Sequence, residues 1–99
     1  MMRVVNMTSP RTGRPVANQF IISDGYKHLF QSYSSPIVEI DYNANTITVY
    51  SAYDYSVTTG KYRNEFMYQQ GFDEMANKKG FEKFLNAGRI DNFTIVKAF

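Results

Sequence analysis

The sequence changes its pattern about halfway along the chain, and this change constrains the fold more than any other feature. In the first half, short runs of β-branched and aromatic residues alternate with turn-forming residues, a pattern typical of strands joined by hairpins. The clearest run is Ile37–Tyr42, in which apolar and acidic side chains alternate from the second residue onward. This alternation predicts a half-buried strand with Glu39 and Asp41 on its solvent face.

A dipeptide typical of tight turns, Asp24-Gly25, separates the second and third of these runs. Type I′ hairpin turns need a positive φ at both central residues, and Asp-Gly is one of the few pairs that adopt this conformation readily. With a two-residue turn at this position, Ile21 lies opposite His28 across the ladder. The dipeptide therefore predicts both a β-hairpin and its register.

The second half of the chain has the residue spacing of helices. The segment Lys61–Gln70 places large apolar side chains four residues apart, which indicates a short amphipathic helix that ends at Gly71. The candidate N-caps that precede this segment are Ser56, Thr58 and Thr59. Asp73 or Asn77 is a suitable N-cap for a second helix that extends to about Ala87. A final run of β-forming residues then predicts a closing strand.

These elements follow the order β-β-β-β-β-α-α-β, and they predict a single α+β domain over residues 1–99. Hairpin-linked strands followed by helices imply an antiparallel sheet of five to six strands with two helices packed on one face. The closing strand, Asn92–Phe99, has to return to this sheet because its apolar side chains would otherwise remain in water.

Several classes of protein are excluded by what the sequence lacks. It has no cysteine, which excludes disulfide-stapled domains and thiolate metal sites. The segment Thr59-Gly60-Lys61 lacks the glycine pattern of a phosphate-binding loop. No apolar run approaches the roughly 20 residues of a membrane span, and the N-terminal run is too short for a signal peptide. We therefore expect a cytoplasmic protein with no catalytic activity, no cofactor, no metal and no membrane partner.

Two sets of titratable residues are candidates for chemistry, and both have simpler interpretations. His28 is the single histidine, and a catalytic base needs an orienting partner and a nucleophile, for which Ser23 and Asp24 across the turn are the nearest candidates. Glu39 and Asp41 share one face of a strand and could bind a hard cation. The pattern favours a sheet-surface histidine and a solvated acidic face instead.

A set of basic residues is a candidate site for an anion or a nucleic acid. Cations contact phosphate oxygens, and the interleaved rings of Tyr26, Phe30 and Tyr33 could stack on bases. Two of the basic residues stand at the predicted start of the first helix, where free backbone N–H groups attract anions. The alternative is an ordinary charged loop beside core aromatics. The candidates are Arg3, Arg11, Arg14, Lys27, Lys61 and Arg63.

A second set of residues is a candidate for protein binding. Tyr53 and Tyr55 stand on a loop-like stretch, and Arg11 and Arg14 stand in the turn-rich segment after the first strand. Exposed tyrosine and arginine are favoured at the energetic centres of protein interfaces. The alternative for the two tyrosines is that their rings line the core beneath the first helix.

Three segments carry a resemblance to a known family: Pro10–Ile21, Phe30–Tyr33 and Asp54–Phe66. Together they resemble small uncharacterised proteins encoded by bacteriophages and prophages of Gram-positive bacteria, over roughly residues 3–70. The resemblance implies a viral origin and action inside a bacterial cell. It implies no catalytic residue, because that family has no assigned activity.

We expect a non-enzymatic binding protein that acts on a bacterial host factor or a phage protein. Inhibition of a host defence system, including a CRISPR nuclease, is one form that this function could take. The alternatives are a nucleic-acid-binding accessory protein that uses the basic loop, and a sponge for a nucleotide signal at Thr58–Arg63. The oligomeric state stays open, with a homodimer among the alternatives.

Overall fold

The computed structural model describes all 99 residues, Met1–Phe99, as one seven-stranded sheet with two α-helices. The predicted α+β class is confirmed, and so is the order of its elements, with one additional two-residue strand before the last. The helices are α1 (Val57–Gln69) and α2 (Lys78–Ala87). Short 3-10 turns at Ser51–Asp54 and Asp73–Met75 precede them. The strands are β1 (Met2–Thr8), β2 (Pro15–Asp24), β3 (Lys27–Ser32), β4 (Ser35–Asp41), β5 (Thr46–Tyr50), β6 (Arg89–Ile90) and β7 (Phe93–Ala98).

The strand order in the sheet is β1-β2-β3-β4-β5-β7-β6. The first five strands pair in sequence order as antiparallel neighbours. The pairing of β5 with β7 is parallel, with Ile47 opposite Ile95, so the prediction of a purely antiparallel sheet is wrong for this pair. The two helices between these strands form a crossover, which carries the chain from the end of β5 back to the end of the sheet where β5 begins.

The β2–β3 turn lies one residue further along the chain than the sequence predicts. Its central residues are Gly25 and Tyr26, and only Gly25 has a positive φ, 61°, which is the pattern of a type II′ turn. Ile21 therefore lies opposite Phe30, and the predicted pairing with His28 is wrong. The partner moves by two residues, so every side chain keeps its predicted face.

Both helices pack on one face of the sheet, which we call the inner face. Phe30 of β3 stacks on Phe66 of α1 with ring centroids 5.9 Å apart. The predicted alternation in β4 is confirmed, since Val38 and Ile40 are fully buried there. The inner face and the helices form one core of sixteen buried residues: Met7, Phe30, Ile37, Val38, Ile40, Ile47, Val49, Tyr62, Phe66, Met67, Phe72, Met75, Phe81, Leu85, Ile90 and Ile95.

One position in β4 departs from strict alternation. Ile37 and Val38 are consecutive, yet both are fully buried. Val38 lies opposite Phe30 while Pro36 lies opposite Gln31, so Ile37 is the extra residue of a β-bulge. A bulge bends the strand and re-aims a side chain, so β4 here contributes two isoleucines, Ile37 and Ile40, to the core.

Side-chain caps fix where the helices begin. Ser56 accepts a hydrogen bond from the backbone N–H of Thr59 at 3.1 Å, which confirms the first of the three candidate N-caps of α1. Asn77 accepts one from the N–H of Gly80 at 2.7 Å, which confirms the second of the two predicted caps for α2. Gly88 ends α2 in the left-handed conformation, with a φ of 79°.

Alanine substitutions at the two helical glycines, Gly60 in α1 and Gly80 in α2, should change the free energy of unfolding in opposite directions. A Cβ at Gly60 would meet Asp54 Oδ1 at 3.7 Å, an ordinary contact, so Gly60→Ala should raise the free energy of unfolding by about 0.5–1 kcal/mol through helix propensity. A Cβ at Gly80 would overlap the carbonyl oxygen of Glu74, so Gly80→Ala should lower it by about 1–3 kcal/mol. Chemical denaturation measures both values. Equal stabilisation of the two variants would contradict the packing around Gly80.

Candidate functional site

A buried arginine organises the region where the two helices meet the end of the sheet. Arg63 projects from α1, and its side chain is 1% exposed. Its Nη1 donates to the backbone oxygen of Tyr53 at 2.9 Å and to Asp54 Oδ1 at 3.4 Å. Its Nε and Nη2 donate to Asn64 Oδ1 at 3.2 and 2.8 Å. The guanidinium also lies 4.8 Å from the ring centroid of Phe81, so α2 covers the charge from the other side.

Asp54 connects this arginine to the start of α2. Its second carboxylate oxygen lies 3.0 Å from Lys78 Nζ, so one carboxylate binds a cation from each helix. The hydrogen bond from Lys78 and its charge lower the pKa of Asp54, and Arg63 lowers it further. Burial lowers the pKa of Arg63, while the charge of Asp54 opposes that shift. The three charges therefore hold the 3-10 turn and both helices together.

The two tyrosines before α1 have different environments. The ring of Tyr53 is half-buried and stacks on Phe81 and Phe99, with centroids 5.5 and 6.1 Å away. Its hydroxyl donates to Glu82 Oε2 at 2.9 Å, and burial together with this carboxylate raises the pKa of Tyr53. Tyr55 is 72% exposed. Of the pair, Tyr55 is the one that presents its ring to solvent, whereas Tyr53 packs against α2.

An open cleft of about 940 Å³ runs along the solvent side of α1. One wall is Pro10, which comes from the loop between β1 and β2. The other walls are Lys78 at the start of α2 and the α1 residues Lys61 and Tyr68. Asp54 and the almost fully buried Arg63 also line the cleft. The cleft thus combines an aromatic ring with charges of both signs.

A second cleft, of about 520 Å³, lies between the β3–β4 turn and the first turn of α1. Every residue that lines it except Ile37 carries a hydroxyl group. Ser32 Oγ and Thr59 Oγ1 lie 2.9 Å apart at its base, and this hydrogen bond joins β3 to α1. Ser56 lines both clefts, so they adjoin at the start of the helix.

Large side chains stand exposed around the two clefts. Val57 is 91% exposed, and Tyr33, Tyr55 and Tyr68 are exposed as well. Lys61 stands among them on the outer face of α1. We call these five residues the α1 surface. Three tyrosine rings, one valine side chain and one lysine therefore form a rim around the two polar clefts.

Comparison with known families places the chain in one of them. A model described as a family of unknown function, DUF8033, matches residues 2–83. The chain belongs to DUF8033. The match contains every residue that lines the two clefts, and it confirms the expectation of a family without assigned activity. No curated protein and no solved structure matches the chain significantly.

In this DUF8033 chain the predicted basic set is divided between distant positions. Arg11 and Arg14 are exposed in the loop whose Pro10 lines the larger cleft. Lys27 lies at the opposite end of β3 from that region, paired across the sheet with Asp41, and Arg3 is exposed on β1.

Lys61 remains on the surface, whereas Arg63 is enclosed by the protein. The exposed basic residues near the larger cleft are therefore Arg11, Arg14, Lys61 and Lys78.

The candidate titratable residues have structural partners. Ser23 Oγ and His28 Nδ1 lie 2.8 Å apart across the β2–β3 ladder, and neither residue lines a cleft. Asp41 accepts backbone hydrogen bonds from Asn43 and Ala44, both at 2.9 Å, which stabilise the β4–β5 turn. These bonds, that from Ala44 first, lower the pKa of Asp41.

Two further observations concern clusters of possible metal ligands and the composition of the helices. No three acidic or histidine side chains come together in a group that could hold a metal ion. Neither α-helix has the length and apolar composition that crossing a bilayer requires.

The α1 surface has a sequence signal on the exposed face of the helix. Val57, Lys61, Asn64 and Tyr68 recur at spacings of four, three and four residues, which places them on one face of a helix that begins directly after Ser56. The sequence prediction used only the apolar spacing of the buried face and therefore missed Val57 and Tyr68.

Replacement of Arg63 tests whether the buried guanidinium holds this region together. Arg63→Lys should lower the free energy of unfolding by about 2–4 kcal/mol, because lysine lacks the forked donors and hydrogen bonds to charged groups contribute about 1.5–3 kcal/mol each. Arg11→Lys is the matched control on the exposed loop and should stay within about 0.5 kcal/mol of the wild type. Chemical denaturation measures both. Similar effects of the two substitutions would contradict the structural role of Arg63.

The lowered pKa of Asp54 predicts a dependence of stability on pH. Since the folded-state pKa lies below the usual 3.8, the ionised carboxylate stabilises the native state above pH 3.8, and this contribution is lost as the pH falls through the folded-state value. Asp54→Asn should therefore flatten the fall in unfolding free energy between about pH 5 and 2. The lowered pKa of Asp41 contributes to the pH dependence of both proteins, so its contribution cancels in the difference between their curves. Parallel pH curves for wild type and variant would refute this assignment.

Proposed function

We propose that this protein is a non-enzymatic binding protein that binds a partner protein through the α1 surface. The observation that carries the proposal is the exposure of Val57 and Tyr55 beside two adjoining clefts, while Tyr62 and Phe66 of the same region lie in the core. Apolar side chains clustered on a rim around concave surface are typical of interaction sites. Tyrosine supplies a large contact area with little loss of side-chain entropy.

The rigidity of this surface supports binding of a folded partner. The hydrogen bond between Ser32 and Thr59 attaches the start of α1 to β3. The contacts of Arg63 with Asp54 and Phe81 attach the same helix to the 3-10 turn and to α2. A preorganised surface loses less conformational entropy on association, so more of its contact energy appears as affinity.

We further propose that the chain is phage-encoded and acts in the cytoplasm of a bacterial host. Its partner in this proposal is a host protein, and a nuclease of a defence system, including a CRISPR nuclease, is the concrete version. This part is supported by the resemblance of the segments between residues 3 and 70 to phage and prophage proteins. Occupation of a partner surface needs no catalytic group, which agrees with a function that rests on contact alone.

Affinity capture from a bacterial lysate tests the proposal with matched tyrosine variants. Tyr55→Ala should reduce the affinity for the captured protein about 30-fold, the equivalent of the roughly 2 kcal/mol typical of an interface hot spot. Val57→Lys should weaken binding as well, since it places a charge in the apolar rim. Tyr26→Ala is the control, because Tyr26 is equally exposed but lies at the other end of β3. Equal losses for Tyr26→Ala and Tyr55→Ala would contradict the proposal.

The same capture experiment would also reveal a nucleic acid as the partner instead of a protein. In that case capture is sensitive to nuclease and the affinity falls steeply with salt, because released counterions drive phosphate binding. Arg11→Ala and Arg14→Ala would then weaken binding more than Tyr55→Ala does. This combination of results would overturn the protein-binding proposal in favour of the basic loop beside the larger cleft.

A further inference from the structure

The smaller cleft differs from the larger one in the chemistry of its lining. Every lining residue except Ile37 carries a hydroxyl group, and none carries a charge. Its volume of about 520 Å³ lies within the range of small-molecule pockets, about 300–1,000 Å³. Hydroxyl groups both donate and accept hydrogen bonds, so this lining is complementary to a ligand whose own groups do both. The lining therefore favours an uncharged, polar ligand.

Tyr33 stands at the rim of this cleft in a backbone conformation that favours glycine. Ser32 and Ser35 pair across the β3–β4 ladder, so Tyr33 is the first of the two central residues of a tight turn. Its φ is 57°, and a turn with positive φ at this position normally has glycine there. A bulky residue in this region is strained, and such strain concentrates at binding sites. The turn itself does not favour a tyrosine, so the ring has to be explained by what it contacts.

Polar groups continue beneath the surface of the cleft. Ser32, at its base, pairs across the β2–β3 ladder with Gln19, whose side chain lies on the same face of the sheet and is fully buried. Neither the amide nitrogen nor the amide oxygen of Gln19 has a hydrogen-bond partner within the chain. Buried amides are nearly always paired, because an unpaired one loses its hydrogen bonds to water. An unpaired amide behind Ser32 favours a polar ligand in this cleft over an apolar one.

We propose that the smaller cleft binds a neutral saccharide. The rings of Tyr33 and Tyr55 contact its C–H faces, and the serine and threonine side chains bind its hydroxyl groups. Both rings line the cleft and are exposed, Tyr33 by 48% and Tyr55 by 72%. A sugar ring carries hydroxyl groups around its rim and polarised C–H groups on its faces, which are attracted to the negative face of an aromatic ring. This binding activity is additional to the protein contact of the α1 surface.

Three other classes of ligand fit the smaller cleft less well. A phosphate needs a cation, but Lys61 lines only the larger cleft, and Ser56 Oγ already accepts the N–H of Thr59 at the start of α1. An extended peptide pairs with a free strand edge, whereas β3 and β4 each lie between two neighbours in the sheet. An apolar molecule would find Ile37 as the single aliphatic residue of the lining.

Titration of the purified chain with neutral trisaccharides, followed by NMR of its backbone amides, tests the site. The probes are maltotriose, cellotriose and triacetylchitotriose, and inorganic phosphate is the anionic comparison. At least one trisaccharide should give saturable shifts at Ser34 and Thr58, which line the cleft, and phosphate should not. The affinity should be insensitive to salt, because no ion pair forms. Saturable shifts with phosphate alone, or with none of the four probes, would overturn the proposal.

Matched substitutions in the two turns of β3 separate binding from folding. Tyr33→Gly should raise the dissociation constant for the trisaccharide about 10-fold through loss of one ring. Its free energy of unfolding should stay equal or rise, because glycine accepts the positive φ. Tyr26→Gly is the control and should keep the affinity, since Tyr26 is exposed in the turn at the other end of β3.

Tyr55→Ala gives a second test that leaves the β3–β4 turn unchanged. Tyr55 is largely exposed, so its replacement should weaken trisaccharide binding without affecting the core. Because the titration uses the purified chain alone, its outcome is independent of whether a partner protein binds the α1 surface. Unchanged affinity in both Tyr33→Gly and Tyr55→Ala would exclude a saccharide site between the two rings.

Discussion

The buried guanidinium of Arg63 is the interaction on which the arrangement of the helices depends. A charge removed from water is strongly unfavourable unless it is paired and hydrogen-bonded, so the surrounding chain has to supply acceptors. Here they come from Tyr53, Asp54 and Asn64, and the ring of Phe81 covers the remaining side. These partners belong to the 3-10 turn, to α1 and to α2. Supplying hydrogen-bond acceptors to this one guanidinium thus determines how the three elements meet. Their arrangement in turn determines the shape of the larger cleft.

The α1 surface is a consequence of that arrangement. Because one side of α1 turns Tyr62 and Phe66 toward the sheet and α2 covers Arg63, the side that carries Val57 and Tyr68 has no element of the chain in front of it. The hydroxyl contact between β3 and Thr59 then holds the start of the helix against the β3–β4 turn, beside the smaller cleft. Exposure of apolar side chains on a rigidly held helix lowers solubility without adding to the core. In the proposed function, this exposed surface is the one that contacts the partner protein.

The sequence predicts local features of this protein well because each has a local physical cause. Alternation identifies the buried face of β4, and Asn77 and Gly88 mark the ends of α2 by their capping chemistry. The parallel pairing of β5 with β7 has no such signal, because it depends on where a two-helix crossover returns. Lys61 and Arg63 are also alike in sequence, two cations on one helix. Only the position of Phe81 and Asp54 in space separates a surface lysine from a buried arginine.

The same layout explains why the sheet has one open edge. The chain returns from α2 through β6 and β7, so its last two strands cover the edge beside β5 and end the sheet with a two-residue strand. The first strand has no later segment to cover it, and Val4 and Val5 meet solvent on opposite faces. The order of the elements along the chain therefore leaves the backbone of β1 unpaired on one side whatever its side chains are.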